Sequence, residues 1–502
     1  MKKFLLIYLA MAGLILSSCE KFLEEDQTGQ ITSETFYSTS KDAVQALNAV
    51  YNPIISLGCF GLNYCVVNEL RSDDFVKGAK PWTNATQADV YDKYTFTASE
   101  GFISGIWNGY YQAIKNANLV IENVGNIVTP DTSVIRNVIA EAYFFRAYSH
   151  FELVRMFGSV PLKDKSPSGL TGAYSGRASV DDIYALIISD LEYACDPKKG
   201  LYAKPWVEAA GQHPTQYAAY ALLANVYLTL QNWTKAAEYA KKVIDGGKFA
   251  LWANYKDIFL YSKKFSANTA ELGENVFVFN FHQDAGFSSR WGWIMQPPDA
   301  YVNCFVGSTK NGRPGANVME VSQAAINDFE ADDSNRKNYV LPSSYTDDDK
   351  TRGVNGLITL DPTKYCMKYT NEGQTNVLWG GWGSNIPVIR YSEVLLIYAE
   401  AENEANGPAN AYAAINQVRG RAGIVAPLSG LNKETFRTAV RKERRTEFLG
   451  EAKRIFDLIR WGEFYNTMQS IIPNLKQGQH LLPIPQGELD ANPSLKQNEG
   501  WN

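Results

Sequence analysis

Two stretches of this chain combine residue types suited to a polyhydroxylated ligand. Arg71-Ser-Asp-Asp-Phe-Val-Lys-Gly78, with Trp82-Thr-Asn84 beyond it, sets Asp73, Asp74 and Lys77 beside an aromatic ring. Arg290-Trp-Gly-Trp293, ahead of Pro297-Pro298, offers two indoles two residues apart. On an extended backbone that spacing points both rings to one face. A sugar ring needs a flat apolar surface for its C–H groups and fixed carboxylate, amide or guanidinium partners for its hydroxyls. The candidate ligand-binding set is therefore Asp73, Asp74, Trp82, Trp291 and Trp293. Trp379 and Trp382, in Leu378-Trp-Gly-Gly-Trp-Gly383, form a third candidate cluster. The competing use for any of these tryptophans is packing beneath a loop.

Catalytic constellations are hard to assemble. The four histidines, His150, His213, His282 and His480, stand far apart, and none belongs to an HExxH pair. Gly101-Phe-Ile-Ser-Gly105 lacks the nucleophile-elbow spacing, and Gly307 to Gly312 is followed by Arg313-Pro314 where a phosphate loop needs Lys-Ser/Thr. A glycosidase needs two opposed carboxylates about 5 to 10 Å apart. With 53 acidic residues the sequence leaves such a pair open. Asp332-Asp333 and Asp347-Asp-Asp349 lack the spacing of a dedicated calcium loop and read as solvated acidic turns. No cofactor or metal is expected. The net charge of −5 argues against nucleic acid, which needs a concentrated basic surface.

The N-terminus addresses the protein to a membrane surface. Met1-Lys-Lys3 precedes an apolar run from Phe4 to Leu16, too short to span a bilayer, that ends in Leu16-Ser-Ser-Cys19. Small residues before a cysteine are the pattern of a bacterial lipoprotein signal: residues 1–18 are removed and Cys19 carries the lipid, an anchor that needs no spanning helix. Acidic residues follow at Glu20, Glu24, Glu25 and Asp26, which fits export to the outer face of the outer membrane. The five other cysteines, Cys59, Cys65, Cys195, Cys304 and Cys366, show no metal spacing and cannot all pair within the chain. Cys59 and Cys65 are close enough to bridge, but buried thiols without a disulfide framework are the expectation.

The elements that must position these residues read as mainly α. Ala224, Tyr227, Trp233, Ala236, Ala240 and Val243 fall at the spacings of a tetratricopeptide helix pair, and Ala399, Ala411, Ile415 and Val418 repeat that register 175 residues later. Glu402 stands where Tyr227 predicts an aromatic. Further pairs are expected from 140–157 with 180–194 and from 43–55 with 106–124. The Gly-, Asn- and Trp-rich region 251–387 breaks this pattern and includes the strand-like Asn275-Val-Phe-Val-Phe-Asn-Phe281. Long insertions of this kind usually carry function.

The C-terminal third has the most specific wording: Arg390-Tyr-Ser-Glu-Val-Leu-Leu-Ile-Tyr-Ala-Glu-Ala401, Asn416-Gln-Val-Arg-Gly-Arg-Ala-Gly423, Arg441-Lys-Glu-Arg-Arg-Thr-Glu-Phe448, Asp457-Leu-Ile-Arg-Trp-Gly462 and Pro483-Ile-Pro485. It closely resembles the SusD/RagB family of outer-membrane nutrient-binding lipoproteins. Glu141-Ala-Tyr-Phe-Phe-Arg-Ala-Tyr148 and Phe157-Gly-Ser-Val-Pro-Leu162 agree with it. The resemblance implies one domain over 19–502, with an N-terminal part about 20–230 and a C-terminal part about 270–502. It further implies about four tetratricopeptide-like helix pairs carrying an irregular loop-rich lobe with short strands. The function implied is non-enzymatic: glycan capture beside a TonB-dependent SusC-like transporter that the protein lids. A lid for peptide cargo and a surface glycoside hydrolase are the alternatives. Arg441, Arg444, Arg445, Glu443 and Glu447, three and four apart, are expected to pair along one helix, and Arg390, Glu393 and Glu400 to belong to a buried network.

Overall fold

Thr39 starts the first long helix because its hydroxyl accepts from the Asp42 backbone N–H while the Asp42 carboxylate accepts from the Thr39 N–H at 2.8 Å. This reciprocal cap satisfies two otherwise orphaned donors. Thr215 and Asn232 cap later helices one way, their side chains accepting from the Ala218 and Lys235 backbone N–H. The structure is a computed structural model that describes residues 36–78, 86–166, 174–202, 213–260, 273–282, 288–296, 316–342, 344–347, 356–359, 364–369 and 382–501.

Among the described residues, eight helices make the scaffold: Ser40–Ile55 (α1), Gly101–Asn123 (α2), Thr132–Phe157 (α3), Val180–Ala194 (α4), Gln216–Thr229 (α5), Trp233–Asp245 (α6), Tyr391–Asn406 (α7) and Tyr412–Ala422 (α8). Each packs on the next in chain order, α6 reaching across the long middle region to α7. The four expected pairs are all present. The positions that defined the repeat are core: Ala224, Ala236, Ala240 and Val243, and likewise Ala399, Ala411, Ile415 and Val418, are all fully buried. Small residues there let helix axes approach closely. Glu402 breaks the register for a local reason. Its carboxylate is buried and accepts from the side-chain amides of Asn406 and Asn410, closing the turn into α8.

Two more helices, Lys433–Phe448 (α9) and Arg454–Arg460 (α10), follow the stack, with α9 against α7 and α8. Strands are short: Phe75–Lys77 (β1), Asn275–Phe279 (β2), Met319–Val321 (β3), Ser344–Asp347 (β4), Gly356–Thr359 (β5) and Ile386–Arg390 (β6). They pair antiparallel as β1 with β3, β2 with β6 and β4 with β5. The alternating aromatics of β2 join the middle region to the stack, with Phe277 lying 5.1 Å from Phe144 of α3 and Phe279 lying 5.9 Å from Tyr148. Cys59, Cys65, Cys195 and Cys366 are buried free thiols, while Cys304 and Cys19 lie outside the described residues. No helix among the described residues is long and apolar enough to cross a membrane.

Candidate functional site

Arg390 stands where β6 ends and α7 begins, and it is fully buried. Its Nη1 donates to Glu274 at 2.6 Å and Glu447 at 2.7 Å, and its Nη2 to Glu451 at 2.7 Å. Arg421 reaches Glu274 at 2.6 Å, Arg336 reaches Glu443 at 2.6 Å, and Lys368 reaches Glu451 at 2.6 Å. Burial drives the Glu447 carboxyl upward, but Arg421, Arg390, Arg336 and Lys368 overcome this and hold it well below the usual carboxylate range. Glu393 pairs with Lys453 at 2.7 Å and Glu400 with Arg460 at 2.7 Å, so both are network members as expected.

The expectation that the charges of α9 pair along their own helix is corrected. Arg444 pairs with Asp457 at 2.8 Å, Arg445 with Asp74 and Asp328 at 2.7 Å each, and Glu443 and Glu447 with arginines from other elements. The last turns of α9 are buried and leave no surface along which side chains can lie, so each charge there takes whatever opposite charge packs against it, and the partly exposed Arg441 pairs with Glu463 at 3.1 Å.

This geometry also corrects Asp73 and Asp74 as ligand contacts. Asp74 is 1% exposed and Asp73 6% exposed. Arg445 holds both, and Arg454 adds a bond to Asp73 at 2.7 Å. Their carboxylates tie the N-terminal part of the chain to α9 and α10, and their acceptor capacity is used there. Lys77 likewise pairs with Asp89 at 2.9 Å.

The two tryptophans do not share a face. Trp291–Met295 is a short helix, where a two-residue step turns a side chain by about 200°. Trp291 is 1% exposed, its Nε1 donating to the Phe60 carbonyl at 2.7 Å and its ring packed against Phe60 and Tyr369. It is a core residue, contrary to the ligand-binding expectation. Gly292 lets this helix approach its neighbour, because a Cβ there would stand 2.0 Å from the Tyr369 carbonyl oxygen. Trp293 turns the other way and is half-buried, with the Arg290 guanidinium 5.5 Å from its ring centre. Arg290 is a residue the sequence argument passed over. The available signal was its position three before Trp293, which a helical start brings onto one side.

Trp82 and Trp379 lie outside the described residues, and Trp382 is buried at 4% exposure, its carbonyl accepting from Ser289 N–H. The fold does bring the two sequence-distant stretches together. β1 pairs with β3, Gly78 N–H donates to the Val318 carbonyl, and Val318 and Ala316 donate to the carbonyls of Ile294 and Trp293. The chain leading to Trp82 therefore starts beside the Trp293 helix. Asp333 is committed to Arg336 and Asp332 to the Val425 N–H, and no cluster of metal-ligating side chains occurs among the described residues.

A model of the SusD family matches residues 361–501, and one described as starch-binding, associating with outer membrane, matches residues 21–228. SusD-like protein P25 of Formosa agariphila is 28% identical, over 97% of this chain and 96% of its own. A SusD homolog from Bacteroides thetaiotaomicron superposes with a TM-score of 0.78 at 23% identity, covering 93% of this chain and 98% of that one. Surface glycan-binding protein A from Bacteroides thetaiotaomicron, in complex with laminarihexaose, superposes at 0.73 with 21% identity over 91% and 99% of the two chains. With one family model on the first half of the helical stack, another on its end, and relatives matched from end to end, the chain belongs to the SusD family.

Proposed function

We propose that this protein is a cell-surface glycan-binding lipoprotein, anchored through Cys19, that captures an oligosaccharide and passes it to a SusC-like TonB-dependent transporter in the outer membrane. The observation that carries the reading is the Arg290–Trp293 pair, a half-buried indole with a guanidinium beside it on the loop-rich side of a fold shared with a laminarihexaose-bound protein. A pyranose C–H face stacks on such a ring and its hydroxyls accept from the guanidinium. Trp82, which follows β1 in the sequence, stays in the proposed ligand-binding set. No covalent step is involved. The motif carboxylates Glu443, Glu447, Glu451 and Asp457 are all buried in ion pairs, which favours binding over hydrolysis.

A second reading, a transporter lid for non-sugar cargo, draws support from the burial of Trp291, since rings that only pack are what a pure scaffold needs. An affinity-gel screen across plant, algal and microbial glycans separates the two. Retardation that is lost in Trp293→Ala supports glycan capture at this face. A folded protein that no glycan retards refutes it and leaves the scaffold.

A further inference from the structure

The segment leading into α2 meets the C-terminal residues. Between them lies a cleft of about 520 Å³, within the few hundred to a thousand Å³ typical of small-ligand sites. One wall is Trp501. Its Nε1 donates to the Leu481 carbonyl at 3.0 Å and its ring sits 4.6 Å from Phe96, itself 2% exposed. The indole is thus fixed at one edge and one face while remaining only half-buried. Thr97 and Asn474, both exposed, supply hydroxyl and amide groups on the lining.

The charge of this cleft is unlike that of the protein. The chain carries 53 acidic against 48 basic residues, yet no lining residue bears a carboxylate and two are lysines. Lys93 shares Asp89 with Lys77, at 2.8 Å and 2.9 Å, and Asp92 also acts on both lysines, so the free positive charge of the cleft rests on Lys476. Lys476 forms no ion pair among the described residues. A rigid aromatic wall, neutral polar groups and an exposed lysine outside any ion pair among the described residues are the complement of a sugar that carries negative charge.

We propose that this cleft is a second binding site, for an anionic oligosaccharide whose ring stacks on Trp501 and whose carboxylate or sulfate is drawn by Lys476. Its lining includes neither Arg290 nor Trp293, and the proposal does not rest on that pair. Neutral sugars gain nothing from this lysine and bind more weakly here.

Calorimetric titration of the chain beginning at residue 20 tests this with hexagalacturonate, a sulfated carrageenan hexasaccharide and neutral maltohexaose. The expected result is binding of at least one anionic hexamer, weakened by added salt and reduced roughly tenfold by Lys476→Glu, a surface change that leaves the melting temperature unaltered. Trp501→Ala reduces it further. Binding of one anionic probe alone identifies the charge as carboxylate or sulfate. The proposal is overturned if neither anionic hexamer binds, if Lys476→Glu has no effect, or if Lys476→Glu and Trp501→Ala weaken maltohexaose as much as the anionic hexamers. It is also overturned if Lys476→Glu abolishes co-purification with the transporter while no sugar binds, because the cleft then seats a protein.

Discussion

The Arg390 guanidinium and the Glu447 carboxylate, 57 positions apart in the chain, meet at 2.7 Å with neither side chain exposed. Around them Glu274, Arg421, Arg336, Glu451 and Lys368 complete an interior network that draws together β6, α8, α9 and the residue preceding β2. The family wording of the C-terminal third is therefore a description of how the stack is fastened to the middle region.

Glu447→Gln removes the shared counter-charge of Arg390, Arg421 and Arg336 while keeping the shape of the side chain. Stranding buried guanidinium groups costs about 3 to 5 kcal/mol. The expected outcome is a large fall in the urea midpoint. A loss below about 1 kcal/mol, the scale of an exposed pair, contradicts the network as described.

Trp291→Ala and Trp293→Ala separate packing from recognition. Trp291 is fully enclosed and hydrogen-bonded to Phe60, so its truncation is expected to cost about 3 to 5 kcal/mol. Trp293→Ala costs far less stability and removes glycan retention. Denaturation curves and affinity gels on the same two variants check this, and the reverse pattern would place the ligand face elsewhere.

Asp74→Asn tests whether this carboxylate fastens the fold or meets a ligand. Its bond to Arg445 at 2.7 Å places it in the first role. Stability is expected to fall by about 2 to 4 kcal/mol, since Arg445 keeps Asp73 and Asp328 as partial compensation. Glycan retention by the folded variant stays as in the parent, and a selective loss of retention restores Asp74 to the binding face.

Acid weakens the protein in two windows. His150 is fully buried, its Nδ1 3.0 Å from the Arg146 carbonyl and its Nε2 accepting from the Lys163 N–H. Burial holds it neutral down to about 4, against an ordinary 6.5. The unfolded chain therefore takes up this proton first, and stability present above 6.5 is lost as pH falls toward 4, about 3 kcal/mol in all. For Asp457, burial pushes the carboxyl up, but Arg444 and Arg460 pull it down to about 2 from 3.8, so its contribution is lost only as pH falls from 3.8 toward 2. Urea midpoints measured from pH 7.5 to 3.5 should show the first decline, and a His150→Gln variant should flatten it between 6.5 and 4.

By itself the sequence determined the helical stack. Ala224, Ala236, Ala240 and their counterparts at Ala399, Ala411 and Ile415 are a local periodicity, and helices read local periodicity directly. The strand-like Asn275 to Phe279 was legible for the same reason. What only the tertiary structure decided is which polar and aromatic groups are free to meet a ligand. Asp73, Asp74 and Trp291 look available in the sequence, and each is consumed by a partner hundreds of residues away, Arg454, Arg445 and Phe60 respectively. Burying a carboxylate or an indole N–H requires such a partner, and one sequence without its fold does not say where that partner stands. The face kept by Trp293 and Arg290 emerged only once Trp291 to Met295 was seen to be helical, because a turn of backbone decides which of two neighbouring rings is core and which is surface.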